Sequence, residues 1–316
     1  MWKKFWHKLF WFKEPKSLWY LCSFETFVKM FDKKRMWFSD VVKSNDESEL
    51  FIGQLIADNM DADFDKVLKD KGIEYAKNQI WDLSKSEIIR EIASPCHVWA
   101  SCFTTNVDNL WMWKEYGDNF NGIAIDFDFI KLKELVSSLN DKNDLVSFYL
   151  FPVKYGGSIS KNEIANFIKL IKEILLEKMY NQTLLNSFAK YFSKFKTEHF
   201  SIENEYRIIA LNEVKPRIRK KIKEEKVEAA GNRVIDNFGD ELPITKEIKS
   251  TTLFKTHVKN NKVVSHIECE INLNELVSSV RFCKNHSKEE IEEIIGLSLG
   301  KNQIKVEKQQ TSYRTK

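Results

Sequence analysis

Residues 102–128, CFTTNVDNLWMWKEYGDNFNGIAIDFD, predict a strand, a short helix and a second strand around one turn. The run HVWASCFT alternates in polarity, which is typical of a strand, and NVDNLWMWKEYG predicts the helix. After the turn at Asn121-Gly122, residues Ile123, Ile125 and Phe127 share one face of the second strand. The rings beside this turn predict a binding cleft, because flat apolar side chains make good ligand walls. They are Trp111, Trp113, Tyr116 and Phe120, next to Glu115 and Asp118.

The rest of the chain shows strand and helix signals in uneven alternation. Alternating apolar residues predict strands over SLWYLCS, RMWFS, LVSFYLFPVKY, EYRIIAL, residues 251–258 and 262–271, and the KNQIKVEKQQTSYRTK tail. Apolar residues at three-to-four spacing and capping residues predict helices over SFETFVKMF, residues 48–93 and 129–139, two segments within 161–196 divided around Asn181-Gln182, and a segment opened by the capping box Ser287-Lys288-Glu289-Glu290.

This alternation predicts an α+β fold with a mixed or mainly antiparallel sheet core and helical insertions. No Gly/Ser/Pro-rich linker and no repeat divides the sequence, so we expect one domain over residues 16–316. A basic run interrupts that domain within residues 214–228, at Lys215, Arg217, Arg219, Lys220, Lys221, Lys223 and Lys226. Such a run is typical of a solvated insert, and a nucleic-acid contact is the alternative interpretation.

The first 15 residues, MWKKFWHKLFWFKEP, predict a basic and aromatic amphipathic helix. Its apolar face carries Trp2, Phe5, Trp6 and Leu9. The segment is too short and too charged to cross a bilayer, so we expect no transmembrane segment here. Packing on the protein's own domain, docking on a partner and lying on a membrane surface remain open.

Composition is that of a globular protein with a mild charge bias. The 316 residues are 43% hydrophobic, and 50 Lys and Arg stand against 46 Asp and Glu, which does not demand a nucleic-acid partner. Five cysteines without a CxxC pair predict reduced thiols and a cytoplasmic protein. The GxGxxG, GxxxxGKS/T, HExxH and GxSxG motifs are missing, so several common enzyme classes lack their signatures.

Four pieces of sequence stand out together: Trp19-Tyr20, Trp37-Phe38-Ser39 leading to Asn45-Asp46, residues 102–128, and Glu203-Asn204-Glu205-Tyr206-Arg207. In this order they resemble the bacterial family catalogued as domain of unknown function 2971, over residue 16 to about residue 300. The chain departs from the family pattern at Glu47, which stands in place of Pro, and at His199-Phe200, which replace a Trp. Glu115 stands where the family has His, so any chemistry that needs this histidine is in doubt.

The order of these pieces is also similar in layout to ADP-ribosyltransferases. Those enzymes have an aromatic-containing first strand, a Ser/Thr strand and a late strand opening with two acids separated by one residue. The resemblance implies transfer of ADP-ribose from NAD to a macromolecular acceptor, either protein or nucleic acid, by an effector of toxin or antiphage type. NAD would be a substrate, and no metal is implied.

The resemblance assigns the catalytic role to Glu205 and Glu203. Loss of nicotinamide leaves an oxocarbenium-like ribose, which a fixed carboxylate stabilises. On an extended strand Glu203 and Glu205 face the same side, so one acid can hold a ribose hydroxyl while the other deprotonates the acceptor. Arg207 continues that face and can keep the acids ionised or bind a phosphate. A solvated strand face with routine ion pairs is the alternative.

The remaining candidates are expected to bind the substrate. Ser39 and Thr104 are candidates to hold the nicotinamide amide or the ribose, and Tyr20 and Tyr116 to stack on the nicotinamide, while Trp113 would form a wall. Turn and core-edge roles are the ordinary alternatives for these residue types.

Two other functions stay open from the sequence. One is a metal-dependent nuclease with Asp126, Asp128 and Glu205 around a divalent cation, although Arg207 occupies the position where a lysine is expected. The other is a non-catalytic module that senses a nucleotide or binds a partner, which the replacement of the family histidine by Glu115 favours.

Overall fold

The computed structural model describes residues 14–41, 66–67, 69–70, 72, 98–156, 159–176, 182–213, 233–235, 241–243, 252–259, 262–283, 285–300 and 304–309. Four predictions lie wholly or largely outside these residues: the amphipathic helix within residues 1–15, the Asn45-Asp46 turn, the helical block at 48–93 and the basic insert at 214–228.

The described strands and helices follow one another along the chain as the alternation predicted. The strands are β1 (Ser17–Cys22), β2 (Arg35–Asp40), β3 (Val98–Thr104), β4 (Ile123–Asp128), β5 (Val146–Pro152), β6 (Lys154–Tyr155), β7 (Phe195–Lys196), β8 (Glu205–Asn212), β9 (Arg233–Ile235), β10 (Glu241–Pro243), β11 (Thr252–Lys259), β12 (Lys262–Glu270), β13 (Val277–Phe282) and β14 (Lys305–Lys308). The helices are α1 (Phe24–Lys33), α2 (Leu110–Glu115), α3 (Phe129–Lys142), α4 (Lys161–Leu176), α5 (Gln182–Phe192), α6 (Leu273–Leu276) and α7 (Lys288–Leu299).

The contacts between residues divide the chain into two compact units. The first comprises the described residues of Met1–Asp32, Phe103–Glu134 and Asn272–Lys316. The second comprises those of Lys33–Cys102 and Leu135–Ile271. The single domain over residues 16–316 stays a prediction.

The first unit is built on antiparallel pairing around β4. Strand β4 pairs with β1 on one side, with Tyr20 opposite Ile125, and with β13 on the other. Strand β14 adds to β13 in the parallel sense. The predicted apolar face of β4 is confirmed, because Ile123, Ile125 and Phe127 are fully buried.

The opposite face of β4 changes from apolar to polar along the strand. Ala124 is fully buried there in a cluster that includes Trp19 and Trp113. Asp126 and Asp128, further along, are only half-buried. Helix α2 therefore covers one end of this face through Trp113, and the two acids lie where the face becomes polar.

The second unit is also antiparallel and carries the larger helices. Strand β12 pairs with both β11 and β2, while β5 pairs with β8 from Val146 opposite Asn212 to Pro152 opposite Tyr206. Helices α4 and α5 stack Phe167 on Phe188, with ring centroids 5.3 Å apart, in a core cluster that also includes residues of β8. The predicted α+β class with a mainly antiparallel sheet is confirmed.

A local signal accounts for the start of α7. The Ser287 hydroxyl accepts a hydrogen bond from the Glu290 amide at 3.1 Å, as a capping residue at the start of α7 should.

Cys22, Cys102, Cys269 and Cys283 form no disulfides with one another. Within the described ranges, no helix has both the length and the apolar character that crossing a membrane requires.

Candidate functional site

The two predicted catalytic acids lie on either side of a left-handed residue. Glu203 ends a 3-10 helix, Glu198–Glu203, and Asn204 follows with φ 44° and ψ 51° before β8 begins at Glu205. The prediction that both acids lie on one extended strand was therefore wrong for Glu203. Asn is one of the few residues that adopts this conformation at low cost, which allows the sharp change of direction.

The two carboxylates nevertheless meet, at Lys196. Its Nζ lies 2.8 Å from Oε2 of Glu203 and 2.8 Å from Oε2 of Glu205. The three side chains are between 2% and 5% exposed, so solvent screens them little. These buried acids therefore do not form the solvated strand face that was the alternative interpretation of the sequence.

Arg207 supplies the second cation. It lies two residues after Glu205 on β8, so both side chains project from the same face of the strand. Its Nε donates to Oε1 of Glu205 at 2.5 Å, and its Nη1 donates to the carbonyl of Ser193 at 3.3 Å. Arg207 is 1% exposed, and the group as a whole holds two carboxylates against two cations.

A short parallel ladder positions Lys196 and Tyr155 side by side. Strands β6 and β7 pair through Lys154 with Phe195 and Tyr155 with Lys196. The hydroxyl of Tyr155 accepts a hydrogen bond from the Glu205 amide at 2.8 Å. The first residue of β8 is therefore fixed by its backbone as well as by its carboxylate.

The charges around Glu205 settle its protonation state. Burial alone would raise the pKa of its carboxyl, but Arg207 and Lys196 outweigh burial and hold that pKa well below its usual range. Burial also raises the pKa of Tyr155 well above its usual value. Glu205 is thus a permanent anion and Tyr155 a neutral phenol across the physiological pH range.

This geometry suits some chemical roles and excludes others. A carboxylate with so low a pKa cannot act as a general acid and is a weak proton acceptor. It can stabilise a positive charge that develops beside it. Both oxygens of Glu205 are already bound to cations. A positive charge on a ligand must therefore replace one of these two cations to reach the carboxylate.

The predicted binding residues fall into both units. Ser39 belongs to the second unit, where it is exposed and lies opposite His266 and Ala100 in the sheet. Tyr20, Thr104, Trp113 and Tyr116 belong to the first unit. Glu203, Glu205 and Arg207 are therefore the predicted residues that direct contacts bring together, and the role of the others stays a prediction.

The first-unit candidates differ in how much surface they present. Trp113 is fully buried and its Nε1 donates to the carbonyl of Val107 at 2.7 Å, so its ring exposes no face to a ligand. Thr104 is fully buried too, and its hydroxyl accepts from the Asn106 amide. Tyr20 is half-buried, and Tyr116 is 42% exposed.

The turn beside these rings has an unusual backbone. Asp118, Asn119 and Phe120 are three consecutive residues with positive φ, at 49°, 52° and 69°. A Cβ on Gly122 would lie 2.1 Å from the carbonyl oxygen of Cys22, so only glycine fits there. Glu115, at the position of the family histidine, has a side chain 44% exposed and lies 3.7 Å from the ammonium of Lys114.

Sequence reasoning missed Lys196, Tyr155 and the carbonyl of Ser193. Lys196 lies two residues before the 3-10 helix, but nothing in its immediate sequence distinguishes it from exposed lysines. Tyr155 ends the predicted strand LVSFYLFPVKY, and only the pairing of β6 with β7 shows where its hydroxyl lies.

The metal alternative requires a cluster of ligands. Among the residues that the structure describes, no group of three or more His, Cys, Asp and Glu side chains is placed to hold a metal ion. Asp126 accepts a hydrogen bond from Ser279 at 3.1 Å, and Asp128 accepts from the Lys131 amide at 3.0 Å.

Comparisons with known proteins bear on the family alone. No curated protein and no solved structure matches the chain. Residues 112–208, which run from α2 through Glu205 into β8, match the model of the family described as Protein of unknown function (DUF2971), the family that the sequence resembles.

Proposed function

We propose that this protein is an ADP-ribosyltransferase-like effector that transfers ADP-ribose from NAD to a macromolecular acceptor, a protein or a nucleic acid, in the bacterial cytoplasm. The role would be of toxin or antiphage type. The observation that carries the proposal is the buried Glu205 carboxylate, which Arg207 and Lys196 keep ionised. The basic aromatic segment with Trp2, Phe5, Trp6 and Leu9 would dock the protein on a partner or a membrane surface.

The proposed reaction breaks the bond between ribose C1′ and the pyridinium nitrogen. The bonding electron pair leaves with nicotinamide, whose ring becomes neutral, and C1′ carries the developing positive charge. Glu205 stabilises that charge as a fixed anion. The acceptor's nucleophile then bonds to C1′, and its proton passes to Glu203 or to solvent.

The proposal requires Lys196 to exchange partners. While Lys196 and Arg207 are paired with Glu205 they offset its charge, so the carboxylate stabilises a cation developing on the ribose only weakly. The diphosphate of NAD carries two negative charges and attracts the same ammonium. Its binding would draw Lys196 from Glu205 and leave the carboxylate free for the ribose, so substrate binding itself would activate the acid.

The saturated carboxylate also favours a second function, a non-catalytic nucleotide-sensing module. Glu203, Lys196, Glu205 and Arg207 form a neutral group in which each charge has a partner. Such a group holds a fold in one arrangement without any turnover. In that case the matched family segment would bind its ligand and pass the signal to a partner.

The decisive experiment incubates the purified full chain with labelled NAD and cell extract, with and without EDTA. Wild type should transfer label to a macromolecule in the presence of EDTA, and Glu205→Gln should transfer at least 100-fold less, since an amide cannot supply the anion. Release of free nicotinamide should fall in parallel. Label transfer that EDTA abolishes would instead favour a metal-dependent reaction.

Glu268→Gln is the matched control. Glu268 is a second carboxylate of the same unit that is 2% exposed and paired with two cations, Arg35 at 3.2 Å and Lys255 at 2.8 Å. If loss of a buried ion pair reduces activity only by destabilising the fold, both variants should lose activity together. No transfer by folded wild type, or equal transfer by wild type and folded Glu205→Gln, contradicts the proposal.

A further inference from the structure

Three lysines, Lys154, Lys190 and Lys194, lie close to one another beside β5. The ammonium of Lys190 lies 4.0 Å from the ring centroid of Tyr149, and that of Lys194 lies 5.3 Å from the ring of Phe151. Lys154 approaches from β6, and its amide donates to the carbonyl of Lys194 at 2.8 Å. The two rings pack against the core on their other side, so they form a fixed base under the lysines.

Lys154 and Lys190 each pair with a carboxylate, and each carboxylate accepts a further hydrogen bond from another residue. Glu163 accepts from Lys154 at 2.5 Å through one oxygen, and its other oxygen accepts from the Ser160 amide and hydroxyl at the start of α4. Glu213 accepts from the Tyr149 hydroxyl at 2.9 Å and lies 3.9 Å from the ammonium of Lys190. Lys154 is thus fixed tightly and Lys190 loosely.

Lys194 differs from its two neighbours. It is half-buried, and within the described part of the chain no carboxylate lies within 4.0 Å of its ammonium. Burial lowers its pKa, and the nearby charges of Lys154 and Lys190 lower it further, against the opposing effect of Glu163. Among the described residues, three ammonium groups therefore face two carboxylates, with one positive charge in excess and mutual repulsion among the lysines.

We propose that Lys154, Lys190 and Lys194 form a binding site for a phosphate group. An anion between them would remove the repulsion, supply the anionic partner that Lys194 lacks among the described residues, and favour its charged form. Phosphate fits better than a carboxylate because it carries up to two charges and enough oxygens for three ammonium groups. The lysine ammonium is a compact charge that can approach a phosphate from several directions, so three lysines can bind one phosphate group.

The phosphate can come from a small phosphorylated molecule or from a nucleic-acid backbone. Titration calorimetry at fixed ionic strength with inorganic phosphate, and separately with a 12-nucleotide single-stranded DNA, distinguishes the two sources. Lys194→Met should weaken binding of the effective probe at least tenfold. Lys169→Met, which changes an exposed lysine of α4 paired with Glu173, is the matched control and should leave the affinity unchanged.

A second variant moves affinity the other way. Glu163→Gln releases Lys154 and removes a negative charge, so it should tighten binding severalfold, and this result would stand even if Lys194→Met failed to fold. Circular dichroism and a thermal melt confirm the fold of each variant. The proposal is overturned if neither probe binds wild type, if a folded Lys194→Met binds as tightly as wild type, or if Glu163→Gln weakens binding. NAD is not used, so the outcome is independent of the proposed transferase activity.

Discussion

Asp126 in the first unit and Glu205 in the second are both acids on strands, and they differ in the kind of partner they have. Asp126 is half-buried beside the hydroxyls of Ser17 and Ser279; the Ser279 hydroxyl donates to its Oδ2 at 3.1 Å, and its Oδ1 has no hydrogen-bond partner among the described residues. Glu205 is only 4% exposed, and its partners are Arg207 and Lys196. Burial raises the pKa of Asp126 despite the opposing effect of the two serines and Arg281, whereas the pKa of Glu205 is lowered. The more buried acid is therefore the stronger one.

The difference shows that the charge of the partner can outweigh burial. A hydroxyl donates to a carboxylate and also accepts from a carboxylic acid, so it supports both forms of Asp126. An ammonium or guanidinium group supports only the ionised form. Glu205 is thus suited to act as a fixed charge and Asp126 to exchange a proton.

The largest expected effect comes from removing the guanidinium of Arg207. Arg207→Met should lower the free energy of unfolding by about 3–5 kcal/mol, because it leaves buried carboxylates with a single cation. Urea denaturation followed by circular dichroism measures the change. Arg35→Met is the matched control: Arg35 is 25% exposed and Glu268 keeps Lys255, so we expect a loss of about 1 kcal/mol.

If Arg207→Met lowered the free energy of unfolding by less than about 1 kcal/mol, the contrast between Glu205 and Asp126 would not hold. It would mean that solvent or Lys196 alone compensates Glu205. The low pKa of Glu205 would then have another cause.

A smaller effect is expected in the way the free energy of unfolding falls at low pH. Because the folded pKa of Glu205 is depressed, its contribution is present above the unfolded value near 4.3 and is lost as pH falls through the folded value. Wild type should lose up to about 1.4 kcal/mol per pH unit more than Glu205→Gln below about pH 4. Urea denaturation at several pH values from 7 to 3 measures the two slopes, and equal slopes would show that Glu205 does not titrate as proposed.

The strands and long helices were predictable because their signals are local. Apolar alternation located β1 to β5 and β8, and the spacing of apolar residues located α4 and α5 with a division between them. Strand β13 was not predicted, because VSSVRF lies between two helices with little alternation of its own. The residues of β6 lay within the strand predicted over LVSFYLFPVKY, but β7 and the pairing of β6 with it were not predicted, since that pairing depends on contacts 41 residues apart.

The candidate site was predictable only in part, for a related reason. The spacing of Glu205 and Arg207 on a strand correctly placed them on one face. Glu203 was placed wrongly in a strand, because a short polar run does not show that Asn204 adopts a left-handed conformation. Lys196 came from a different element altogether, and no pattern in one segment predicts a partner from another.

The smallest expected effect is at Asp126. Asp126→Asn keeps an oxygen that can accept from Ser279 and removes the group whose ionisation burial disfavours. Since the folded pKa is raised, the ionised side chain costs stability above that pKa, and the cost disappears as pH falls below the unfolded value near 3.9. Solvent screening at this half-buried site reduces the effect, so the variant should be as stable as wild type at pH 7, or more stable by about 0.5 kcal/mol or less.

Urea denaturation at pH 7 and at pH 3.5 tests this expectation, because the gain should shrink at the lower pH. If Asp126→Asn instead lost more than about 1 kcal/mol at pH 7, its carboxylate would have to be stabilised by a cation, in the way that Glu205 is. Arg281 is the nearby candidate, since it lies over the ring of Trp19, the residue opposite Asp126 in the sheet. The two acids would then follow one rule, and burial would not decide the ionisation of Asp126.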